Sequence, residues 1–72
     1  MERQAVDSSL LVSIGYDADD ETVEAEFKSK PEVWQYFNVP LAVYDGVISA
    51  KSIGSAFISD IRKAGYRARR VS

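Results

Sequence analysis

The six residues TVEAEF, at positions 22–27, decide the fold. Val23, Ala25 and Phe27 alternate there with two glutamates. Successive side chains of a β-strand point to opposite faces, so this alternation predicts a strand with one face on a core and the other in solvent. We take this segment as the central strand and look for its partners before and after it.

Two further segments have strand character. Residues 10–16 form a β-leaning run that ends at the acidic loop of residues 17–21. Residues 33–37, VWQYF, follow a polar loop whose Pro31 cannot donate a hydrogen bond to a sheet. Because both connections are short, hairpins join these segments, and the sequence predicts three antiparallel strands in meander order.

The first of these strands does not keep a clean period of two. Leu11 and Ile14 are both large and apolar, but one stands at an odd and the other at an even position, so a regular strand would point them to opposite faces. Gly15 follows them. An extra residue in one strand lets two such residues face the same side. We therefore predict a β-bulge near residues 12–15.

Two helices are predicted after these strands. The first runs from Pro40 to about Ala50; Gly46 inside it costs roughly 1 kcal/mol relative to alanine, so either a neighbour packs closely there or the helix is weak. The second begins after Ser52, a good N-cap, and ends at Gly65 in the C′ position. The apolar stripe of this second helix consists of Phe57, Ile58, Ile61 and Ala64.

These elements predict an α+β, two-layer sandwich in which a three-stranded antiparallel meander is followed by two helices packed on one face. A chain of 72 residues has room for a single domain, residues 1–72, with a short flexible N-terminus of about residues 1–6 and a basic C-terminal tail of about residues 67–72. The expected inner layer consists of Leu11, Ile14, Val23, Ala25, Phe27, Tyr44, Val47, Phe57 and Ile61.

The composition excludes several classes of protein. The chain has no cysteine, so disulfides and thiolate metal sites are impossible, and a reducing, cytoplasmic location fits best. It has no histidine, the commonest general base near neutral pH and a frequent metal ligand. We see no signal region, membrane-spanning stretch or paired nucleophile and base. We therefore expect no enzymatic activity, no metal or other cofactor and no membrane association.

A set of residues spread from about Val6 to Val71 resembles the KTSC domain family, a short bacterial and phage module that also occurs at the C-terminus of some lysyl-tRNA synthetases. The residues that carry this resemblance are Ser8-Ser9, Leu11, Ile14-Gly15-Tyr16-Asp17, Val23, Ala25, Phe27, Trp34, Tyr36, Val39-Pro40, Tyr44, Ala50, Ser52, Gly54, Phe57, Ile61 and Tyr66.

The chain departs from the family pattern at two places. The family's central Tyr-x-Tyr motif corresponds to Trp34 and Tyr36, so the first position keeps its aromatic ring and lacks the hydroxyl. The preceding turn, which often contains glycine in the family, is residues 28–32, KSKPE, here. The resemblance implies no established activity, although the synthetase context suggests RNA binding.

Trp34 and Tyr36 are the candidate aromatic contact surface. They lie two residues apart and therefore on one face of a strand, where a pair of rings can stack on unpaired bases. The alternative is that both rings belong to the core, because large aromatics dominate the cores of small domains. Val33 and Phe37 lie on the opposite face, so one of these apolar pairs is partly exposed unless a helix or a partner covers it.

The end of the chain is rich in cations, which we consider as a candidate nucleic-acid-binding patch. Such a patch would neutralise phosphates. The alternative is a solvated helix terminus whose cations complement the helix dipole, and the overall pI of about 4.9 argues against strong nucleic-acid binding. The candidate residues are Lys51, Arg62, Lys63, Arg67, Arg69 and Arg70.

Two weaker motifs have simpler explanations. The acidic loop of residues 17–21 begins like a calcium-binding loop but lacks the glycine that such a loop requires at its sixth position, where Thr22 stands, so we interpret it as a soluble hairpin tip. Ser52, Gly54 and Ser55 resemble a phosphate site at a helix N-terminus, and helix capping explains the same residues.

The sequence thus predicts a small non-enzymatic binding module, with RNA or single-stranded DNA as the favoured ligand. The alternative is a protein-interaction module, such as a stand-alone bacterial or phage regulator or inhibitor that docks on a host protein. A homodimer is a further alternative, because a three-stranded sheet leaves free edges and one uncovered face that a second copy could cover.

Overall fold

The computed structural model describes all 72 residues and contains one antiparallel sheet of five strands in the order β1-β2-β3-β4-β5. The α+β class with two helices is therefore confirmed, and the prediction of a three-stranded sheet is wrong. The elements are β1 Gln4–Ala5, β2 Leu11–Asp17, β3 Thr22–Phe27, β4 Val33–Tyr36, α1 Leu41–Ile48, α2 Ile53–Phe57 and β5 Ala68–Arg70.

The two additional strands are the edges of the sheet, and they lie in the segments expected to be a flexible N-terminus and a basic tail. β1 pairs with β2, and β5 pairs with β4. Every residue of β1 and β5 is exposed. An edge strand with no buried face needs only backbone hydrogen bonds, so it carries no alternating hydrophobic pattern. Sequence periodicity therefore could not reveal them.

The central strands agree with the sequence. β3 has the predicted bounds, and the pairing of β2 with β3 shifts register between Leu11 and Ser13. The intervening Val12 is 39% exposed, whereas Leu11 and Ile14 are both fully buried. The predicted β-bulge is confirmed, and it turns both large residues onto the core.

The helices are shorter than predicted. α1 ends at Ile48, and α2 continues after Phe57 as a π-helical turn, Ile58–Arg62. The hydroxyl of Ser52 accepts the Ser55 amide at 3.2 Å, which confirms the predicted N-cap. Gly65 has a φ of 93°, but it lies in the turn beyond the end of the helix rather than directly at it.

The helices cover one face of the sheet and enclose the core between the two layers. Phe57 is fully buried at its centre, with its ring 5.7 Å from that of Phe27 and 5.4 Å from that of Tyr36, both edge-on. Tyr36 and Val39 join the predicted core residues, and Phe27 is only partly buried. No helix combines the length and apolar character needed to cross a bilayer.

The other face of the sheet carries a polar network instead of a bare surface. Arg3, just before β1, pairs with the carboxylates of Glu24 and Glu26 and donates from Nε to Ser13 Oγ at 2.9 Å. Gln35 donates to the second oxygen of Glu24 at 2.9 Å. This network explains how a glutamate that is only 8% exposed is tolerated on the sheet.

Candidate binding grooves at the sheet edge

The register of β4 and β5 divides the candidate aromatic and basic residues between the two faces of the sheet. Trp34 pairs with Arg70 and Gln35 pairs with Arg69. Directly paired residues of antiparallel strands share a face, and neighbours alternate. Arg70 therefore lies on the helix-covered face beside Trp34, whereas Arg69 and, two residues before it, Arg67 lie on the opposite face.

A groove of about 500 Å³ opens beside Trp34 on the helix-covered face. We call it the tryptophan groove. β4 supplies Trp34, the β3–β4 hairpin supplies Lys30 and Glu32, and the π-helical turn supplies Arg62. The remaining lining residues are Leu10, Phe27, Ser29, Tyr36 and Ala68.

Trp34 is held in place by the carboxylate of Glu32. The indole Nε1 donates to Glu32 Oε1 at 3.0 Å, and the other carboxylate oxygen lies 3.5 Å from Nη1 of Arg70. The indole hydrogen bond, with smaller contributions from Arg70 and Lys30, lowers the pKa of Glu32. The ring is therefore fixed in a half-buried position, and the one acidic group of the groove already has a hydrogen-bond donor and a cation as partners.

Tyr36 belongs to the core, as the alternative interpretation of this pair proposed. It is 5% exposed and packs edge-on against Phe57. Burial raises the pKa of its hydroxyl, and the nearby charge of Arg62 partly offsets this rise. Of the two aromatic candidates, Trp34 alone offers substantial ring surface.

Arg62 is positioned by an aromatic ring. Its guanidinium carbon lies 5.7 Å from the centre of the Phe27 ring, within the range of a cation–π interaction. This contact holds the guanidinium over the tryptophan groove. Its charge is not part of an ion pair, because no carboxylate lies within salt-bridge distance of Arg62.

A second groove, of about 430 Å³, lies at the end of β4 and is lined by Phe37, Asn38, Arg67, Ala68 and Arg69. We call it the phenylalanine groove. The Phe37 amide donates to the carbonyl oxygen of Arg67 at 2.9 Å, which joins the two segments. Asn38 has a φ of 60°, a left-handed conformation that turns the chain away from the sheet directly after Phe37.

The structure does not gather the six basic candidates into one patch. Lys51 lies in the connection between α1 and α2, Lys63 follows the π-helical turn, and neither lines a groove. Lys30 and Phe37, in contrast, line grooves although we had not selected them. Lys30 was missed because a lysine in a polar loop has no distinguishing pattern, and its position near Trp34 depends on the hairpin.

The acidic loop has a structural explanation. Asp17 Oδ1 accepts the amides of Asp19 at 3.0 Å and Asp20 at 3.4 Å, so this carboxylate caps the turn. The chain contains no group of three or more acidic side chains arranged to hold a metal ion. The Ser52 hydroxyl accepts the Ser55 amide, so helix capping explains the residues that resemble a phosphate site.

Two comparisons with known proteins identify the same family. The family model described as the KTSC domain matches residues 7–67. An uncharacterized protein of Stutzerimonas stutzeri (strain A1501) is 36% identical over 67 residues, which is 93% of each chain. The crystal structure of a KTSC domain protein from Yersinia pestis superposes with a TM-score of 0.88 at 34% identity, covering 99% of this chain and 97% of that one.

Proposed function

Because this chain belongs to the KTSC domain family and its Trp34 lines a groove together with two cations, we propose that it is a non-enzymatic module that binds RNA or single-stranded DNA in the tryptophan groove. The observation that carries the proposal is one fixed, half-buried indole that lines the same groove as two cationic side chains, Lys30 and Arg62.

This combination suits a single nucleic-acid strand. Proteins that bind single strands stack bases on aromatic side chains and follow the phosphates with cations, and each stacked base contributes about 1–3 kcal/mol. The hydrogen bond to Glu32 orders the Trp34 ring before any ligand arrives, so binding costs less side-chain entropy.

The net charge of -2 does not oppose this proposal, because the charges are segregated. Glu24 and Glu26 are paired with Arg3 on the other face of the sheet. The remaining acidic cluster lies in the hairpin of residues 17–21, and neither groove is lined by that hairpin.

The test uses Trp34 as its own reporter, since it is the only tryptophan of the chain. Titration with an octauridylate or an octathymidylate at low salt is expected to quench its fluorescence. With about two or three phosphates neutralised, the affinity should fall roughly tenfold between about 50 and about 200 mM salt.

Charge variants locate the binding site. Arg62→Gln should weaken binding and reduce the salt slope by about 0.7 for each phosphate that the variant no longer neutralises. Lys51→Gln removes the same charge outside both grooves and should change the affinity much less. Titrations without quenching and without any shift of backbone amide resonances would refute the proposal.

The alternative function, docking on a protein partner through apolar area, has a different response to salt. Such binding survives high salt and is lost when its central aromatic residue is truncated. Binding to the oligonucleotides that does not weaken with salt would therefore contradict a phosphate-based mode.

A further inference from the structure

The two grooves meet at the edge of the sheet. Ala68 lines both of them, although they open on opposite faces of β4 and β5. β5 is the edge strand of the sheet, so no further strand pairs beyond it. The residue at the point where one surface passes into the other is therefore a small one, an alanine.

Each groove combines an aromatic ring with cations. The tryptophan groove has Trp34 with Lys30 and Arg62, and the phenylalanine groove has half-buried Phe37 with Arg67 and Arg69. Arg67 and Arg69 are exposed and make no ion pair within the chain. The phenylalanine groove therefore offers the same combination of an aromatic ring and cations, and its cations are free to contact phosphates.

We propose that a single nucleic-acid strand crosses the β5 edge at Ala68 and occupies both grooves, with one base on Trp34 and another on Phe37. This inference rests on the proposed function and adds a second subsite, a path between the subsites and a minimum ligand length.

The ligand length follows from the sheet geometry. Trp34 and Phe37 are three residues apart, roughly 10 Å along an extended strand, and they point to opposite faces. A dinucleotide cannot reach around β5 from one ring to the other, whereas an octanucleotide can. An octanucleotide also lies within the range of about 4–16 nucleotides that small single-strand-binding folds occupy. Occupying both grooves with one strand converts the second contact into an intramolecular step and raises the affinity.

The experiment compares uridine oligonucleotides of two lengths by Trp34 fluorescence. We expect the octanucleotide to bind at least tenfold more tightly than the dinucleotide. The double variant R67Q/R69Q should remove most of this gain while changing dinucleotide affinity less than twofold. The control K51Q/K63Q also loses two positive charges, but outside both grooves, and should keep the gain.

Two uncharged variants test the stacking and the path. Phe37→Leu keeps an apolar side chain but removes the ring, and it should weaken only the octanucleotide, by about threefold or more, the loss of part of one base stack. Ala68→Leu places a bulkier side chain at the crossing and should reduce the same gain. β5 is exposed, so neither this variant nor R67Q/R69Q should unfold the domain.

The outcomes separate this inference from the proposed function. The edge crossing is overturned if both lengths quench the fluorescence equally and neither R67Q/R69Q nor Phe37→Leu changes the result. The tryptophan groove would then be the single binding site. If neither length quenches the fluorescence and neither shifts any backbone amide resonance, both proposals are refuted.

Discussion

The indole Nε1 of Trp34 lies 3.0 Å from Oε1 of Glu32, and this hydrogen bond links β4 to the hairpin before it. Trp34 supplies the donor, and the β3–β4 hairpin ends on the glutamate that accepts from it. The same carboxylate also holds Arg70 of β5. One acidic side chain thus connects β4, the hairpin and the edge strand.

This link predicts a pH-dependent stability. The pKa of Glu32 is lowered in the folded chain from its usual value of 4.5, so its stabilising contribution is complete above that value. It is lost as the pH falls below 4.5 and through the lower folded pKa. The stability of the wild type, measured by urea unfolding, should therefore decrease more steeply in this acid range than that of Glu32→Gln.

The matched control for this prediction is Glu2→Gln, which removes an exposed carboxylate that makes no ion pair. It should retain the acid-sensitive slope of the wild type. Equal slopes for the wild type and Glu32→Gln would show that the carboxylate contributes nothing through ionisation.

Gly15→Ala should detach β1. A Cβ at this position would clash with the carbonyl oxygen of Glu2 and approach the Cα of Arg3 to 3.1 Å, because the N-terminal segment crosses directly over Gly15. We expect a loss of about 1–3 kcal/mol, the usual cost of overpacking. Hydrogen exchange offers a local measurement: the amide of Val6, which donates to Val12 at 3.2 Å, should lose its protection.

Gly46→Ala should have the opposite effect. Apart from its chain neighbours and the backbone of α1, no atom would lie within 4 Å of a methyl group at Gly46, so close packing does not explain this glycine in α1. Alanine there should stabilise the domain by about 0.5–1 kcal/mol through its higher helix propensity. Urea unfolding checks the sign, and an unchanged or lower stability would contradict the weak-helix explanation.

Arg3→Met should destabilise the sheet from its outer face. The variant leaves the carboxylates of Glu24 and Glu26 close together without their cation, and Glu24 is 8% exposed. We expect a loss of about 1–2 kcal/mol, less than for a fully buried pair because the Arg3 side chain retains 27% of its exposure. Adding Glu24→Gln should restore part of the loss, and strictly additive losses would contradict direct pairing.

Local patterns were sufficient for the central part of the fold. The alternation of residues 22–27 predicted β3, and the parity of Leu11 and Ile14 predicted the bulge in β2. Ser52 acts as the predicted N-cap, through a contact with a residue three positions away. The N-cap depends on residues close in the sequence. The strand and the bulge depend on one buried face, which appears in the sequence as a regular spacing of apolar residues.

The site was less predictable than the fold. Trp34 and Arg62 were selected from the sequence, and the structure brings them to one groove. Tyr36 was selected as a companion of Trp34 and lies in the core beneath Phe57. Two positions on one strand face share an orientation, but their exposure depends on where the helix layer ends, and no local pattern encodes that boundary.

The sequence by itself determined the central strands, the bulge, the helix cap and the presence of cations near the C-terminus, because these follow from side-chain alternation, local capping and composition. Only the tertiary structure decided that residues 4–5 and 68–70 form the two edge strands of the sheet. It also decided that Arg70 lies on the same face as Trp34, whereas Arg69 lies on the opposite face. The reason is that edge pairing uses backbone hydrogen bonds, which every residue except proline can make, and strand register converts adjacent arginines into residues on opposite faces.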